Sequence, residues 1–200
     1  MLAEISPKLV MELRQRTGVG MMDCKKALAE TNGDIEQAIE ALRKRGAAKA
    51  ASKAGRQALE GLVESYIHPG GRIGVLVELN CETDFVARTD DFQALVRGIA
   101  MHIAAMSPLA VKRDDLPADL VATERAIHED MVRAEGKPEA IVPKIVDGKL
   151  NKWFSEVVLL DQPYVKDDKK TVGELLQEAI AKMGENIQVR RFAKFRLGQD

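Results

Sequence analysis

Apolar positions recur at helical spacing through the first quarter of the chain, alternate between residues 62 and 79, and return to helical spacing after residue 90. Ser6-Pro7 predicts a helix start, with serine as the cap and proline at the first helical position. Leu9, Val10 and Leu13 share one face, and Thr17-Gly18-Val19-Gly20 turns the chain. A second helix carries Met21, Cys24, Ala27 and Leu28 at helical spacing and stops at Asn32-Gly33. Asp34 with Gln37 predicts a capping-box start for a third. Ile35, Ala38, Ile39 and Leu42 form its buried stripe, and Gly46 is its expected stop. A unit of this size buries only a thin core. Residues 47–58, rich in Ala and Lys, predict a helical connector with few packing obligations.

From Gly61 the period becomes two. Residues 62–68 have strand composition, Pro69-Gly70-Gly71 is a turn, and Ile73, Val75, Val77 and Leu79 alternate with less apolar neighbours. That pair predicts an antiparallel hairpin. Asp90 with Gln93 predicts the cap of the clearest amphipathic helix, which carries Phe92, Leu95, Val96, Ile99, Ala100, Ile103 and Ala104 and ends before Pro108. Residues 118–160 predict further helices, broken near Gly136-Lys137-Pro138 and Asp147-Gly148. The first of these is polar, with Leu120, Ile127 and Met131 as sparse anchors, and reads as part of an antiparallel helical pair. Residues 166–170 predict a surface turn, and Thr171 with Glu174 predicts the start of a last helix. Ile187, Val189, Ala193, Phe195 and Leu197 share the parity of a closing strand, with Arg191 out of order. The expected fold class is α+β: three short helices, a helical linker, and a small three-stranded antiparallel sheet covered by helices.

Composition narrows the function classes. The chain has 46% hydrophobic and 30% charged residues, as a globular protein does. Its net charge of −1 conceals an asymmetry. The first 58 residues hold 11 Lys and Arg against 7 Asp and Glu, leaving +4; the remaining 19 and 24 leave −5. A surplus of that size does not imply nucleic acid without an element that reads bases or cradles phosphates. Cys24 and Cys81 form no CxxC pair, so they read as small apolar residues in a reducing compartment. No basic-then-apolar leader opens the chain, Glu4 and Glu12 argue against a transit peptide, and no stretch is long enough to span a membrane. The cytoplasm is the expected location, with no membrane partner.

Catalytic constellations are scarce. Gly18 and Gly20 begin a GxGxxG pattern, but Asp23 takes the third glycine's place and no strand precedes it. There is no GxxxxGK[ST] loop. His68, His102 and His128 are too scattered for a metal site, and Asp167-Asp168, flanked by lysines, reads as an exposed turn rather than an acid pair. A binding protein without cofactor is expected, not an enzyme.

The informative stretch is Thr83-Asp84-Phe85-Val86-Ala87-Arg88. Thr83 or Asp84 can cap a short helix at the end of a strand, which sets Phe85 in its first turn. Phe85 is then either a core aromatic beneath the turn or a ring offered to a partner's pocket. Spacing leaves both open.

Here the chain resembles the elongation factor Ts family. The run Thr17-Gly18-Val19-Gly20-Met21-Met22-Asp23-Cys24-Lys25-Lys26-Ala27-Leu28 is similar to its N-terminal signature, as is Asn32-Gly33-Asp34 with the segment that follows. Glu78-Leu79-Asn80-Cys81-Glu82 leading into residues 83–88 resembles a second, more specific signature, and Val165-Lys166-Asp167-Asp168 and Gly184-Glu185-Asn186-Ile187 are also family-like. The resemblance implies a three-helix, ubiquitin-associated-like docking module with the start of a linker over residues 1–54, and an α+β dimerisation core over 55–200. It implies a translation factor that exchanges guanine nucleotide on the GTPase elongation factor Tu, GDP-bound or nucleotide-free, with no direct nucleic-acid contact. Thr83, Asp84, Phe85 and Val86 would wedge beside the nucleotide and its magnesium ion. Val19, Gly20, Met21, Lys25 and Arg88 would contact the partner. The length matches short members without a duplicated core, which implies a homodimer. A helical adaptor or nucleic-acid-associated protein using the basic first segment is the alternative.

Overall fold

The computed structural model describes residues 5–199, so Glu4 lies outside the described residues. Two compact units emerge. One gathers the described residues through Gly61 with Asn80–Gln93 and Glu174–Gln188; the other gathers Leu62–Leu79, Ala94–Gly173 and the described residues from Val189.

The first unit opens with helices α1 (Pro7–Thr17), α2 (Met21–Glu30) and α3 (Ile35–Lys53). Ser6 caps α1 through its side-chain oxygen, which accepts from the Leu9 amide at 3.3 Å. Gly18, at φ +67°, ends it and donates to the Arg14 carbonyl. That left-handed conformation favours glycine. Asp34 caps α3 through the Gln37 amide at 2.9 Å. Val10, Leu13, Cys24, Ala27, Leu28, Ala38 and Leu42 form the shared core, with Ile5, Leu9, Val19, Ile35 and Ile39 at its margin. The basic residues here are interleaved with acids: Arg16 pairs with Glu36, Arg45 with Glu30 and Lys49 with Asp23. Exposed pairs of this kind add little stability, but they break up the positive surplus as a continuous patch.

Helix α3 corrects one expectation. It passes through Gly46 and ends only at Lys53. Gly46 is buried, and a Cβ there would lie 3.4 Å from the Cβ of Ala181 in α8 (Val172–Met183). Glycine therefore marks a close approach of two helices, not a stop. The last turns of α3 also have packing obligations, because Ala50 is buried and the Lys53 ammonium donates to the Gly184 carbonyl.

The second unit holds most of an antiparallel three-stranded sheet in the order β1 (Glu60–Ile67), β2 (Ile73–Cys81), β5 (Gln188–Arg196). The His68 amide donates to the Ile73 carbonyl at 2.9 Å and closes the expected hairpin. Val75, Val77 and Leu79 are buried on one face. Two side chains on the sheet reach α5 (Asp90–Met106): Glu64 meets Arg97 at 3.9 Å, and Lys194 donates to the carbonyls of Ile103 and Ala104 and to the Ser107 hydroxyl. A lysine on the orphan carbonyls of a helix C-terminus complements the helix dipole. Burial, and secondarily the charge of Arg196, holds that ammonium below the usual lysine range.

Strand β5 departs from the expected parity. Val189 is buried, Arg190 and Arg191 are both exposed, and the less exposed positions are then Phe192 and Lys194. Ala193, Phe195 and Leu197 consequently lie outside the core. Two exposed residues in succession shift the alternation by one, as an extra residue in a strand does.

Helices α6 (Ala118–Ala134) and α7 (Val142–Val157) form the expected antiparallel pair around Val132, Val142, Val146 and Leu150. The break at Gly136 is present, at φ +70°, but α7 runs unbroken through Gly148. The expected surface turn over 166–170 is instead mostly strand: β4 (Asp167–Thr171) pairs antiparallel with β3 (Pro163–Tyr164). Charged side chains concealed it, since Asp167-Asp168-Lys169-Lys170 shows no alternation of apolar and polar residues. Among the described residues no helix is long and apolar enough to cross a membrane.

His102 is fully buried in α5 and bonded on both ring nitrogens. Its Nε2 lies 2.9 Å from Gln162 Oε1, and its Nδ1 accepts from the Val165 amide at 3.2 Å. That pattern fixes a neutral ring with the proton on Nε2. Burial lowers its pKa against the opposing pull of Gln162. The unfolded chain takes up a proton below about pH 6.5 that the folded chain refuses, so stability falls as pH drops through that range. Melting temperature measured from pH 8 to pH 5 should decline less steeply in His102→Gln than in wild type; parallel slopes would contradict this.

Candidate functional site

Between β2 and α5 the chain forms one helical turn, α4 (Asp84–Ala87). Thr83 caps it: its hydroxyl oxygen accepts from the Val86 amide at 3.4 Å while its backbone stays extended. The Arg88 guanidinium pairs with Asp84 at 2.8 Å across that turn. Ala87 is buried, Val86 half-buried, and Phe85 is 79% exposed. The choice left open by spacing is decided: Phe85 is a displayed aromatic, not a core one. The cap of α5 also moves by one residue from expectation, because Thr89 Oγ1, not Asp90, accepts from the Phe92 amide at 3.3 Å.

A turn this short cannot hold its own shape, since helix nucleation is unfavourable. The base of the tip supplies the restraint. Glu185 Oε2 accepts from the amides of Glu82 and Thr83, both at 3.0 Å, and its Oε1 accepts from the Thr83 hydroxyl at 2.6 Å. Glu82 returns the favour, accepting from the Asn186 amide at 2.6 Å and facing Arg56 at 3.5 Å. The Asn186 amide, then the Arg56 charge, hold the Glu82 carboxyl below the usual carboxylate range. Asn186 donates from its side chain to the Arg56 carbonyl at 2.8 Å. Cys81 donates from its thiol to the Thr83 carbonyl at 3.1 Å, and burial followed by the charge of Glu185 pushes that thiol up to about 11. It is an inert, buried thiol. Cys81, Glu82, Glu185 and Asn186 lie in family-like runs, but the sequence assigns none of them, nor Arg56, this anchoring role. Glu185 is 102 residues from Thr83, and nothing local announces the contact.

The other sequence-picked residues sit at the α1–α2 turn. Val19 packs against the three-helix core, and its carbonyl accepts from the Cys24 thiol at 3.5 Å. Gly20 precedes α2 without a side-chain cap. Lys25 is exposed, and Met21 is 44% exposed. Its neighbour Met22, at 76%, is more exposed still. The same compact unit contains this turn and the tip. Lys182 of α8 reaches both neighbourhoods: a Cβ built on Gly18 would lie 3.8 Å from its stem, and its ammonium meets Asp91 at 2.7 Å.

Among the described residues no cluster of His, Cys, Asp and Glu could hold a metal ion. The three histidines lie apart, His68 beside Tyr66, His102 in the core and His128 beside Glu124. The tip is an aromatic projection braced at its base, in the same compact unit as an exposed methionine-bearing turn.

The family pattern described as Elongation factor TS matches residues 19–179. A relative from Anaeromyxobacter sp. (strain Fw109-5), called Elongation factor Ts, is 61% identical over 198 residues, covering 99% of this chain and 90% of the relative. One from Thermosipho melanesiensis, of the same name, is 58% identical and covers 98% of this chain and 100% of the relative. A third, from Geobacter sulfurreducens, is 58% identical over 195 residues. The tip lies inside the matched span, and the first signature lies inside it from Val19 onward. The chain belongs to the elongation factor Ts family.

Proposed function

We propose that the protein is a guanine-nucleotide exchange factor for elongation factor Tu and performs no bond chemistry of its own. The observation that carries this is Phe85, displayed at 79% exposure on a turn whose base is fixed by three hydrogen bonds to one carboxylate. Exchange needs differential binding. A factor that prefers the partner's nucleotide-free geometry weakens GDP, and GDP weakens the factor by the same ratio. Thr83, Asp84, Phe85 and Val86 form the wedge: the ring enters the partner beside the nucleotide and displaces the groups that hold magnesium. Losing that ion removes the main counter-charge of the phosphates. Incoming GTP then restores the closed geometry and ejects the factor.

In the same reading, residues 1–54 dock on the partner's GTP-binding domain through Val19, Gly20, Met21 and Lys25, with Arg88 contacting beside the tip. Residues 55–200 serve as the dimerisation core. An apolar outer sheet face supports the homodimer, with Val63, Ile67, Leu76, Phe195 and Leu197 all exposed. A soluble translation factor of this kind works in the cytoplasm. The decisive measurement is release of a fluorescent GDP analogue from elongation factor Tu. The protein should accelerate release in a saturable manner; release unchanged at every concentration would sink the reading.

A further inference from the structure

The tip of the exchange site is short, exposed and almost without a core of its own. Ala87 is its one buried residue, and only Thr83 Oγ1 caps its N-terminal amides. Thr83 is bound on every polar group. Its amide and hydroxyl both donate to Glu185, and its carbonyl accepts from the Cys81 thiol and the Ala87 amide. The hydroxyl has one hydrogen. Because Glu185 Oε1 takes it at 2.6 Å, the oxygen's lone pairs remain for the Val86 amide. Glu185 thus orients the cap as well as holding the backbone.

Glu185 is itself placed by local geometry. Gly184, at φ +80°, ends α8 with its amide on the Ile180 carbonyl and turns the chain sharply. The reciprocal bond from the Asn186 amide to Glu82 Oε1 fixes the same two segments from the opposite side. Arg56 adds a third segment, facing Glu82 and accepting from Asn186. Charge-assisted bonds of this type are short and directional. They therefore aim the turn.

We propose that Glu185 is a positioning residue for nucleotide exchange, holding Thr83 so that Phe85 is presented in its productive orientation; this rests on the exchange reading above. Glu185 does not touch the partner in this proposal. It removes the ordering cost that a loose tip would impose when the ring enters its pocket. Docking through the α1–α2 turn does not depend on it. The maximal rate of GDP release should therefore suffer more than the concentration of factor needed to reach half of it.

The test compares wild type, Glu185→Gln, Thr83→Val, Thr83→Ser and Phe85→Ala. Each is titrated against elongation factor Tu carrying a fluorescent GDP analogue. Glutamine keeps the volume of Glu185 but offers one acceptor oxygen to three donors. Glu185→Gln should lower the maximal release rate roughly 10- to 100-fold, as misplacement of a working group does. The half-saturating concentration should change less than about threefold, since docking is untouched. Amide hydrogen exchange at Thr83 and Val86 should quicken in the free protein. Thr83→Val should lower the maximal rate in the same way, and Thr83→Ser should recover most of that loss by restoring the hydroxyl. A Glu185→Gln protein with a wild-type maximal rate, beside an inactive Phe85→Ala, would overturn the positioning role and leave the exchange reading intact. A variant that loses melting temperature and docking together, with the maximal rate preserved, would overturn it in favour of a purely structural one. If wild type itself fails to accelerate release, the exchange reading falls and the proposal with it. The amide exchange data would then still report whether the clamp orders the tip.

Discussion

Phe85→Ala should abolish most of the acceleration of GDP release while leaving the folded protein intact. The argument has two halves, both resting on exposure. In the free protein the ring is 79% exposed, so removing it deletes almost no buried area. Surface truncations of this kind shift stability by about 0.5 kcal/mol or less. In the complex the same ring would be buried, and burying a phenylalanine side chain stabilises by about 1.5–3 kcal/mol. If that gain is realised only in the nucleotide-free geometry, its loss appears in the maximal release rate as about one to two decades. If it is realised equally with GDP bound, only affinity drops and the maximal rate survives. Release kinetics over a concentration series, with a thermal melt of the free variant as control, separate these outcomes. An unchanged maximal rate in a folded Phe85→Ala protein would refute the wedge.

The features legible in the sequence were those whose causes are local. Ser6, Asp34 and Thr83 each cap a helix within three residues, so their role shows in a window of four. The hairpin was equally legible, because its turn and its alternation are adjacent. What failed depended on distant partners. Gly46 read as a stop because the neighbour that demands a glycine, Ala181, is far along the chain. The parity of β5 broke at Arg190 and Arg191, where sheet pairing rather than hydrophobicity sets the register. The β3–β4 ribbon carries too many charges to announce itself as strand.

The candidate site divides the same way. Thr83, Asp84, Phe85 and Val86 were named through resemblance, and the cap through local chemistry. Local chemistry leaves open whether Phe85 is covered, because that depends on what the rest of the fold brings over it; the resemblance implies that it is offered to a partner. Glu185 falls in a family-like run, but neither argument assigns it a role. A glutamate after a glycine has many ordinary uses, and its importance comes only from the three donors folded onto it.

Phe195→Glu should convert the proposed homodimer to monomer with little loss of protomer stability. On β1 and β2, alternation sets Val63, Ile67 and Leu76 opposite the buried Val75 and Val77. Gly74 belongs to the outer set, since a Cβ there would meet Ile67 Cδ1 at 3.1 Å. Arg191 meets Glu78 at 2.7 Å, which brings the exposed positions of β5, Phe195 and Leu197 among them, to that face. Phe195 is 69% exposed, so in the protomer the substitution removes little packing. Solvent-facing sheet sides ordinarily alternate to polar residues, and an apolar patch rimmed by charge marks an association surface. Two such faces stacking about 10 Å apart would form a sandwich core. In a two-fold dimer each substitution counts twice. Losing two phenylalanine burials of about 1.5–3 kcal/mol each weakens the dimer by about 3–6 kcal/mol, or two to four decades in its dissociation constant. The two introduced carboxylates, desolvated and facing an apolar partner, add to that. Sedimentation across the micromolar range should show wild type as a dimer and Phe195→Glu as a monomer with a similar melting temperature. A wild type that remains monomeric throughout, or a variant that dimerises as tightly, would exclude this face as the interface.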